Sequence, residues 1–530
     1  MQNQRMKSHL LVAFALGLAL NDLRAADANA TATNTVVAPY ILTPAAPATP
    51  RINGASVFGV RPGSPFLFTI PATGERPMEF SAKNLPRGLK LDAKTGHITG
   101  SLKTKGEFTV TLGAKNALGT AEKKFRIVCG DQIALTPPMG WNSWNCWSDF
   151  VDQEKVAASA KAMVEKGLIN HGWSYINIDD TWQGLRGGKF NAIQPNEKFP
   201  DMKGLCDQVH GMGLKIGIYS TPWYMSYAGK CGGSGDTQDG VWVSPKISKK
   251  RVNGKSHWIG EFHFDDNDAQ QWAEWGFDYL KYDWKPNDVL STERMAKALR
   301  GCGRDIVYSL SNCAPLTNAP DYFRLANCYR TMGDIRDEWR TGNPLGKYEG
   351  LVDIWDYHEK WSAFSAPAHH PDPDMLILGK VAWHDKTPKP TRLTPDEQYT
   401  HISLWCLWSA PLLIGCPIDQ IDDFTLGLLT NDEVLEVDQD PLCQMAKTVS
   451  NDGTRYVLVK EMEDGSKVVG MLNRGDKPVE VRADWKTLGL LGKQRVRDLW
   501  RQKDMGEFDG SFGATVNSHG VVLVSLSAVK

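Results

Sequence analysis

The stretch Trp275-Gly-Phe-Asp-Tyr-Leu-Lys-Tyr-Asp283 decides the fold. A helical pattern, Asp268–Trp275, precedes Gly276, and glycine commonly follows the last turn of a helix. The residues after it, Tyr279–Asp283, are aromatic or aliphatic except for Lys281 and Asp283, which predicts a short buried strand. The stretch therefore predicts one helix-to-strand step of an alternating α/β fold.

The same alternation continues from residue 131 to residue 440. The predicted strands are Met139–Trp144, Tyr175–Asp180, Lys215–Tyr219, Tyr279–Asp283, Ile306–Leu310, Cys328–Gly333, Met375–Leu378 and Pro411–Gly415. Helical patterns lie between them, at Gln153–Lys166, Lys203–His210, Asp268–Trp275, Glu293–Leu299 and Tyr348–Phe364. Eight such units predict a (β/α)8 TIM barrel, with a doubly wound sheet as the alternative.

Two β domains are predicted on either side of the barrel. Residues 49–129 contain strand-like runs at Phe66–Ile70 and Phe108–Leu112, with turn residues between them. This segment resembles the immunoglobulin-like modules that are often appended to exported enzymes. Residues 441–530 alternate without helical patterns, which predicts a C-terminal antiparallel β-sandwich. The chain is thus predicted to be a multidomain protein.

The N-terminus predicts export. Arg5 and Lys7 precede the apolar run Leu10–Leu20 and two small residues, Ala25 and Ala26, which is the layout of a secretory signal peptide over residues 1–26. The run is too short to span a bilayer, and no later transmembrane segment is predicted. Residues 27–48, rich in Ala, Thr and Pro, predict a flexible linker. We expect a periplasmic or extracellular protein.

Composition excludes some classes of partner. The formal net charge is -1, so no global basic field would attract a nucleic acid, and the basic run Lys246–Lys255 is interpreted as a solvated loop. Ten cysteines do not make a disulfide scaffold, although one or two bridges remain open. The nineteen Trp fit either sugar binding or a Trp-rich core. The oligomeric state is left open.

Two pairs of charged residues end predicted strands. Lys281 and Asp283 share one face of their strand because alternate side chains point the same way. They are interpreted as a functional pair or a buried ion pair at the mouth of the barrel. Asp179 and Asp180 end another strand and are good acceptors for sugar hydroxyls, although one of them could instead cap a helix.

Arg330 and Asp334 close the sixth predicted strand, either as site residues or as a loop ion pair. Asp283 and Asp334 are candidates for the two carboxyl groups of a retaining glycosidase, as nucleophile and acid/base. The run His369–Asp374 contains ligand-type residues, but its spacing fits no standard metal site, so we interpret it as a loop and expect no metal or cofactor.

Several motifs, in order, resemble the melibiase signature of glycoside hydrolase family 27: Leu135–Asn145, Tyr175–Trp182, Gly213–Tyr219, Trp275–Asp283, Asp372–Leu376 and Val437–Leu442. The resemblance implies a retaining α-galactosidase-type enzyme that uses no metal or cofactor. It implies Asp283 as nucleophile and Asp334 as acid/base. It also implies a sugar pocket lined by Trp144, Asp179, Asp180, Tyr219, Lys281, Arg330 and Asp374.

The chain departs from the family pattern in its loops. Asp283-Trp284-Lys285 replaces the family's Asp-Asn-Cys, which removes the expected partner of Cys231, and residues 236–262 look inserted. These changes alter the leaving group that the site accepts. Ser311 and Ala314 are similar to the α-N-acetylgalactosaminidase pattern, where small residues make room for an N-acetyl group.

The leading expectation is exo-acting hydrolysis of terminal α-linked galactose on an oligosaccharide, polysaccharide or glycan. The alternatives within the family are an α-N-acetylgalactosaminidase, a β-L-arabinopyranosidase and a dextranase, the last disfavoured by the intact Asp179-Asp180 pair. Two non-enzymatic alternatives are an inactive carbohydrate-binding protein and a surface adhesin. Asp283 and Asp334 argue against the first, and the barrel motifs argue against the second.

Overall fold

The computed structural model describes residues 40–244, 257–342 and 348–529. The predicted signal peptide, residues 27–39 of the predicted linker and the basic run Lys246–Lys255 lie outside these ranges. The end of the predicted linker is attached to the barrel rather than extended. The backbone N–H of Leu42 donates to the Tyr399 hydroxyl (2.8 Å), and the Thr43 hydroxyl donates to the carbonyl of Gly427 (2.7 Å).

The N-terminal domain is a small β-sandwich. Its strands are β1 (Arg51–Ile52), β2 (Val57–Val60), β3 (Phe66–Thr69), β4 (Ala72–Thr73), β5 (Glu79–Lys83), β6 (Leu89–Leu91), β7 (His97–Gly100), β8 (Gly106–Asn116) and β9 (Gly119–Cys129). One sheet has the order β2-β9-β8-β5 and the other β3-β7-β6. Inward-facing residues such as Phe66, Val110 and Phe125 form its own core, as the alternating pattern predicted.

The central domain contains the chemistry-bearing strands. Its strands are β10 (Met139–Asn142), β11 (Tyr175–Asn177), β12 (Gln183–Gly187), β13 (Ala192–Pro195), β14 (Lys215–Ser220), β15 (Ser234–Gly235), β16 (Phe262–His263), β17 (Tyr279–Asp283), β18 (Val307–Ser311), β19 (Cys328–Arg330), β20 (Asp334–Ile335), β21 (Tyr348–Glu349), β22 (His370–Asp372), β23 (Lys380–Val381), β24 (Lys389–Pro390) and β25 (Leu412–Ile414).

Helices alternate with these strands. They are α1 (Trp144–Trp147), α2 (Gln153–Glu165), α3 (Met202–Gly211), α4 (Asp265–Trp275), α5 (Val289–Gly301), α6 (Ala319–Leu325), α7 (Leu351–His358), α8 (Pro395–Leu407), α9 (Asp423–Leu429) and α10 (Asp432–Asp438). Short 3₁₀ segments lie at Ser148–Phe150, Leu168–His171, Leu316–Asn318, Glu359–Phe364 and Ile418–Gln420.

Eight parallel strands form the barrel. Their order is β22-β19-β18-β17-β14-β11-β10-β25, and a parallel bridge between Leu376 and Ile414 joins the two ends. Each strand neighbours the next one along the chain, which is the order of a (β/α)8 barrel. The predicted barrel is confirmed, and the alternative of a doubly wound sheet is wrong.

The seventh barrel strand differs from its predicted position. The ladder with β19 is made by His370–Asp372, inside the run that was interpreted as a loop, while Leu376 of the predicted strand pairs only with Ile414. Asp374 interrupts the strand with a φ of 91°, a conformation that breaks regular pairing. The pattern Pro-Asp-Pro-Asp concealed a short strand that contains one proline, Pro371, and is followed by another, Pro373.

Local sequence explains the deciding helix-to-strand step. Gly276 ends α4 with a φ of 104°, a left-handed conformation that costs other residues energy. In β17, Lys281 and Asp283 share the inner face, whereas the Tyr282 ring packs outward against Trp284. The Asp288 carboxylate then caps α5 by accepting from the backbone N–H of Ser291. These signals together place Asp283 at the C-terminal end of its strand.

The C-terminal domain is an antiparallel β-sandwich, as predicted. Its strands are β26 (Lys447–Asn451), β27 (Arg455–Glu461), β28 (Lys467–Asn473), β29 (Val479–Asp484), β30 (Gln494–Asp498), β31 (Lys503–Phe508), β32 (Ser511–Val516) and β33 (Val521–Ala528). One sheet has the order β26-β27-β28-β33-β30-β31, and β29 pairs with β32. Its core includes Val469, Val496 and Leu526.

The N-terminal sandwich covers the floor of the barrel. Asp305, just before β18, accepts hydrogen bonds from the backbone N–H of Arg61 (2.9 Å) and the hydroxyl of Ser64 (3.0 Å). The Lys215 ammonium, at the start of β14, lies 4.4 Å from the centroid of the Phe58 ring. These contacts are all at the N-terminal ends of barrel strands. The module therefore lies at the end of the barrel opposite the strand C-termini.

The structure answers three questions that the sequence raised: whether the cysteines form disulfides, where the tryptophans lie and whether a helix could span a membrane. All ten cysteines are among the described residues, and each is a free thiol, including the buried Cys231. Most tryptophans are buried in the core, whereas Trp144 and Trp383 line a cavity at the top of the barrel. Among the described residues, no helix combines the length and apolar character that crossing a bilayer requires.

Candidate active site

A cavity of about 520 Å³ opens at the C-terminal ends of the barrel strands. Nine of the residues singled out from the sequence line it: Trp144, Asp179, Asp180, Tyr219, Lys281, Asp283, Ser311, Asp334 and Asp374. Arg330 lies behind the wall, paired with two of the lining carboxylates. Ala314 is elsewhere. The barrel thus brings together Asp179 and Asp374, two carboxylates that are 195 positions apart in the chain.

Asp283 ends β17 and is almost wholly buried. The Tyr219 hydroxyl donates to its Oδ2 (2.9 Å), while Oδ1 has no hydrogen-bond partner among the described residues. The pKa of Asp283 is raised to about 6, first by burial and then by the charges of Asp334 and Asp179, against the opposing effects of Lys281 and the Tyr219 hydrogen bond. Asp283 therefore presents one unpartnered oxygen to the cavity and is mainly ionised at neutral pH.

Lys281 forms its ion pair with Asp179 rather than with Asp283. Its Nζ lies 2.7 Å from Asp179 Oδ2, and both side chains are buried. Burial alone lowers the pKa of Lys281, but the carboxylates of Asp179 and Asp283 outweigh it and raise the pKa above its ordinary value. Lys281 therefore remains a cation and stabilises the ionised forms of both carboxylates.

Asp179 and Asp180 hold a turn together. Asp179 Oδ1 accepts from the backbone N–H of Asp180 (2.9 Å), and Asp180 accepts from the N–H groups of Thr181 (2.7 Å) and Ala228 (3.0 Å). Burial raises the pKa of Asp180, against these hydrogen bonds. The alternative that one of them caps a helix is wrong, because the strand β12 follows. Both side chains line the cavity instead.

Arg330 connects two carboxylates, Asp334 in β20 and Asp374 just after β22. Its NH2 group lies 2.9 Å from Asp374 Oδ2 and 3.2 Å from Asp334 Oδ1. The guanidinium and Asp374 are buried, whereas 41% of the Asp334 side chain is exposed. Arg330 and Asp334 therefore form an ion pair, and Asp334 also lines the cavity, so the ion pair is confirmed and the role of both residues in the site stays a prediction. Asp334 is accessible enough to exchange a proton with a substrate or water.

Ser311 and Ala314, the two small residues predicted to set specificity, do not lie together. Ser311, at the end of β18, lines the cavity. Ala314 is 1% exposed, belongs to the hydrophobic core and donates its backbone N–H to the Arg330 carbonyl (2.8 Å). Left-handed conformations at Asn312 and Cys313, with φ of 78° and 61°, turn the chain away between them. Placing Ala314 in the sugar pocket is therefore wrong.

Other lining residues were not singled out from the sequence. Most come from loops and the rest from short elements: Asn145, Ser148, Asp149, Tyr227, Ala228, Lys285, Asn312, Gly333, Arg336, Tyr348, Met375, Trp383 and His384. Burial and the charges of Asp283 and Asp334 raise the pKa of Tyr227, so its hydroxyl stays protonated beside both carboxylates. The departure at Trp284-Lys285 was a signal for Lys285. Periodicity gives no signal for residues of irregular loops.

The run His369–Asp374 makes hydrogen bonds within the barrel. His370 Nε2 lies 2.8 Å from the Ala134 carbonyl, and burial lowers the pKa of His370 to about 3, so the ring is neutral. Asp372 Oδ1 accepts from the backbone N–H of Asp374 (2.8 Å). Across the described ranges, no three His, Cys, Asp or Glu side chains converge as a metal site would require.

Comparison with known families and proteins now identifies the family of this chain. The family model for alpha galactosidase A matches residues 136–239 and 248–440, more than half of the chain. The chain belongs to the melibiase family. A model for the alpha galactosidase C-terminal β-sandwich matches residues 452–526, and the "Putative Ig domain" model matches residues 49–130. The predicted glycoside hydrolase, with an Ig-like module and a C-terminal sandwich, is confirmed at the level of family and fold.

Similar proteins cover the melibiase domains and, in one case, most of the chain. Alpha-galactosidase 2 of Arabidopsis thaliana is 32% identical over 76% of this chain and 93% of its own. A Bacteroides fragilis crystal structure described as a "putative alpha-galactosidase" is 33% identical, with a TM-score of 0.80 over 91% of this chain and 98% of that one. A β-L-arabinopyranosidase of Geobacillus stearothermophilus is 27% identical, with a TM-score of 0.64 over 75% and 98%.

Proposed function

We propose that this melibiase is a retaining exo-α-galactosidase that removes terminal α-linked galactose by double displacement. The observation that carries the proposal is that Asp283 and Asp334 line one cavity but differ in burial and in their ion-pair partners. Asp283 is buried with one oxygen unpartnered, whereas Asp334 is partly exposed and paired with Arg330. Two carboxyl groups in unlike environments suit a nucleophile and an acid/base.

In the first step, Asp283 attacks the anomeric carbon while Asp334 gives its proton to the glycosidic oxygen. The bond to the leaving group breaks, and a covalent glycosyl–Asp283 ester forms. In the second step, Asp334 takes a proton from water, and the resulting hydroxide oxygen attacks the same carbon and releases Asp283. Two inversions give net retention of the anomeric configuration.

The wall opposite the leaving group supports recognition of one terminal sugar. Asp179 and Asp180 offer acceptors for sugar hydroxyls, and Lys281 offers an ammonium donor held by Asp179. A carboxylate that loses its sugar hydroxyl would be left buried without a partner, so such pairs discriminate strongly between sugars. The Trp144 ring adds an apolar surface at the same cavity.

A second candidate is an α-N-acetylgalactosaminidase or a β-L-arabinopyranosidase. Ser311 favours the first, because its small side chain lines the cavity, although Ala314 does not contribute. The second is favoured by the likeness to the Geobacillus enzyme, since arabinopyranose has the galactose ring without the hydroxymethyl group. Replacing Ser311 by Leu should depress turnover of the N-acetyl sugar more than that of galactose if Ser311 makes room for the acetamide.

The deciding assay uses four nitrophenyl glycosides: α-galactoside, α-N-acetylgalactosaminide, β-L-arabinopyranoside and α-glucoside. We expect the highest kcat/KM with the α-galactoside, and proton NMR should detect α-galactose as the first product. A β-anomer as first product would refute retention. Preference for another glycoside would refute galactose as the substrate, and silence on all four would favour a carbohydrate-binding protein.

We further propose that the chain is exported, on the basis of the charged, apolar and small-residue order of residues 1–26. The mature protein should then begin near residue 27. N-terminal sequencing of the protein recovered from the periplasm or the medium tests this. A full-length protein retained in the cytoplasm would contradict it.

A further inference from the structure

We propose that the leaving-group side of the cavity recognises an anionic substituent, a carboxylate or a sulfate, through Arg336 and Lys285. This inference rests on the proposed glycosidase function and names the class of substrate for that same site. Both side chains line the cavity, and each follows a proposed catalytic carboxylate by two residues: Asp283-Trp-Lys285 and Asp334-Ile-Arg336.

Among the described residues, the lysine and arginine side chains at the cavity are paired with carboxylates except at these two positions. Lys281 pairs with Asp179, and Arg330 pairs with Asp374 and Asp334. Within the part of the chain that the structure describes, Lys285 and Arg336 form no ion pair with any carboxylate. A neutral galactoside gives neither cation a counter-charge. An anionic group on the leaving group would supply it.

Arg336 is held in an orientation suited to recognition. Its Cζ lies 3.9 Å from the centroid of the Tyr348 ring and 4.2 Å from that of the Trp383 ring. Stacking of the guanidinium on aromatic faces leaves the N–H groups at its edge available to donate. Its side chain donates to no acceptor of the described residues, so a planar carboxylate could accept two parallel hydrogen bonds from it.

The position of Arg336 assigns it to the leaving group rather than to the galactose. Asp334 must reach the glycosidic oxygen, so the leaving group lies on its side of the cavity. Asp334 and Ile335 form β20, and Arg336 continues this segment, with its backbone N–H bonded to the Glu349 carbonyl (2.8 Å). Lys285 is exposed at the mouth and contributes charge without fixed geometry.

The test compares α-galactosides whose leaving groups differ in charge: para-carboxyphenyl, para-(methoxycarbonyl)phenyl and para-sulfonatophenyl. For each enzyme the measured quantity is the ratio of kcat/KM for a charged substrate to kcat/KM for the methyl ester. Dividing wild-type ratios by variant ratios removes the intrinsic difference in leaving-group ability. The sulfonate and carboxylate ratios distinguish a sulfated from a carboxylated natural substrate.

We expect Arg336→Gln to lower the ratio about tenfold, the scale of one charge-assisted hydrogen-bonded pair. Arg336→Lys should retain part of the preference, and Lys285→Gln should lower it about twofold to threefold because an exposed charge is screened. Lys386→Gln, a surface cation outside the cavity lining, should leave the ratio unchanged. Added salt should reduce the wild-type ratio.

Unchanged ratios in Arg336→Gln and Lys285→Gln, with activity on the methyl ester retained, would overturn the inference alone and leave Arg336 as a clamp between Tyr348 and Trp383. Absence of turnover of all three galactosides by the wild-type enzyme would refute the proposed function and this inference together. If Arg336→Gln does not fold, Lys285→Gln and the salt dependence of the wild-type ratio decide the question.

Discussion

The Tyr219 hydroxyl donates a hydrogen bond to one oxygen of Asp283 and leaves the other oxygen without a partner among the described residues. The bond fixes the rotation of the carboxylate, because Tyr219 is itself buried in the neighbouring strand β14. It also stabilises the ionised form against the burial that raises the pKa of Asp283 to about 6. This one contact thus orients the proposed nucleophile and favours its reactive, ionised form.

The pH dependence of the enzyme should report this contact. Asp283 must be ionised to attack, so kcat/KM for the nitrophenyl galactoside should fall as pH decreases through about 6. Tyr219→Phe removes a hydrogen bond that lowers the pKa of Asp283, so the acid limb should move to higher pH. An acid limb that stays in place or moves to lower pH in Tyr219→Phe would show that the bond does not tune Asp283.

Replacing Asp283 and replacing Asp334, the two proposed catalytic carboxylates, should change the dependence of kcat on the leaving group in different ways. Asp283→Ala should lose on the order of 10⁴-fold or more in kcat with every leaving group, because no covalent intermediate can form. Asp334→Ala should lose about 10²–10⁴-fold with alkyl galactosides but much less with dinitrophenyl galactoside, which needs little protonation. Equal losses across leaving groups in Asp334→Ala would contradict its role as acid/base.

The Arg330–Asp374 pair should be essential for stability as well as for the site. Arg330→Gln leaves Asp374 buried without a counter-charge, at a cost of about 3–5 kcal/mol in the free energy of unfolding. Without Arg330, the pKa of Asp374 in the folded state rises further above its unfolded value. The loss in the free energy of unfolding should therefore become smaller as pH falls and Asp374 takes up a proton.

Urea unfolding at pH 5 and pH 8 measures this change. The double variant Arg330→Gln/Asp374→Asn serves as the control, since it removes the uncompensated charge and should recover part of the stability at pH 8. A deficit that is independent of pH, with no recovery in the double variant, would point to lost packing around Arg330 instead of an unpaired charge.

Asp305 should stabilise the protein without affecting catalysis. Asp305→Ala removes the acceptor of two hydrogen bonds from the Ig-like module, and we expect a loss of about 1–3 kcal/mol with unchanged kcat/KM. Asp131→Ala is the matched control, because its side chain is 83% exposed and its ion pair among the described residues is with Lys105, a surface contact that contributes little to stability. Thermal unfolding and a galactoside assay on the same preparations test both statements.

The sequence predicted the parts of the site that regular strands position. Lys281 and Asp283 were placed on one face of a strand by a period of two, and both line the cavity. Tyr219 and Ser311 end the two adjacent strands and lie beside them. In a barrel, register fixes which residues meet at the top, so a correct strand position carries its side chain to the correct place.

The errors came from segments whose geometry is not periodic. Ala314 follows Ser311 by three residues, but the left-handed Asn312 and Cys313 direct it into the core. The strand β22 was not predicted because a proline stands on either side of Asp372, and prolines are uncommon within strands. Residues such as Arg336 and Trp383 meet only after distant loops fold together, and no local pattern in their own segments encodes that meeting.

The module that covers the barrel floor sets the smallest unit that can be transplanted. Phe58 lies against Lys215, and Tyr175 and Val307 at the strand starts line a cavity that Phe58 and Val60 also line, so their apolar surface would face water if residues 49–129 were removed. A fusion protein that contains the catalytic barrel alone would thus expose an apolar surface at the N-terminal ends of its strands and would tend to aggregate. A fusion protein that keeps the Ig-like module together with the barrel leaves the C-terminal ends of the strands open. A second protein attached ahead of the module would then not obstruct substrate entry.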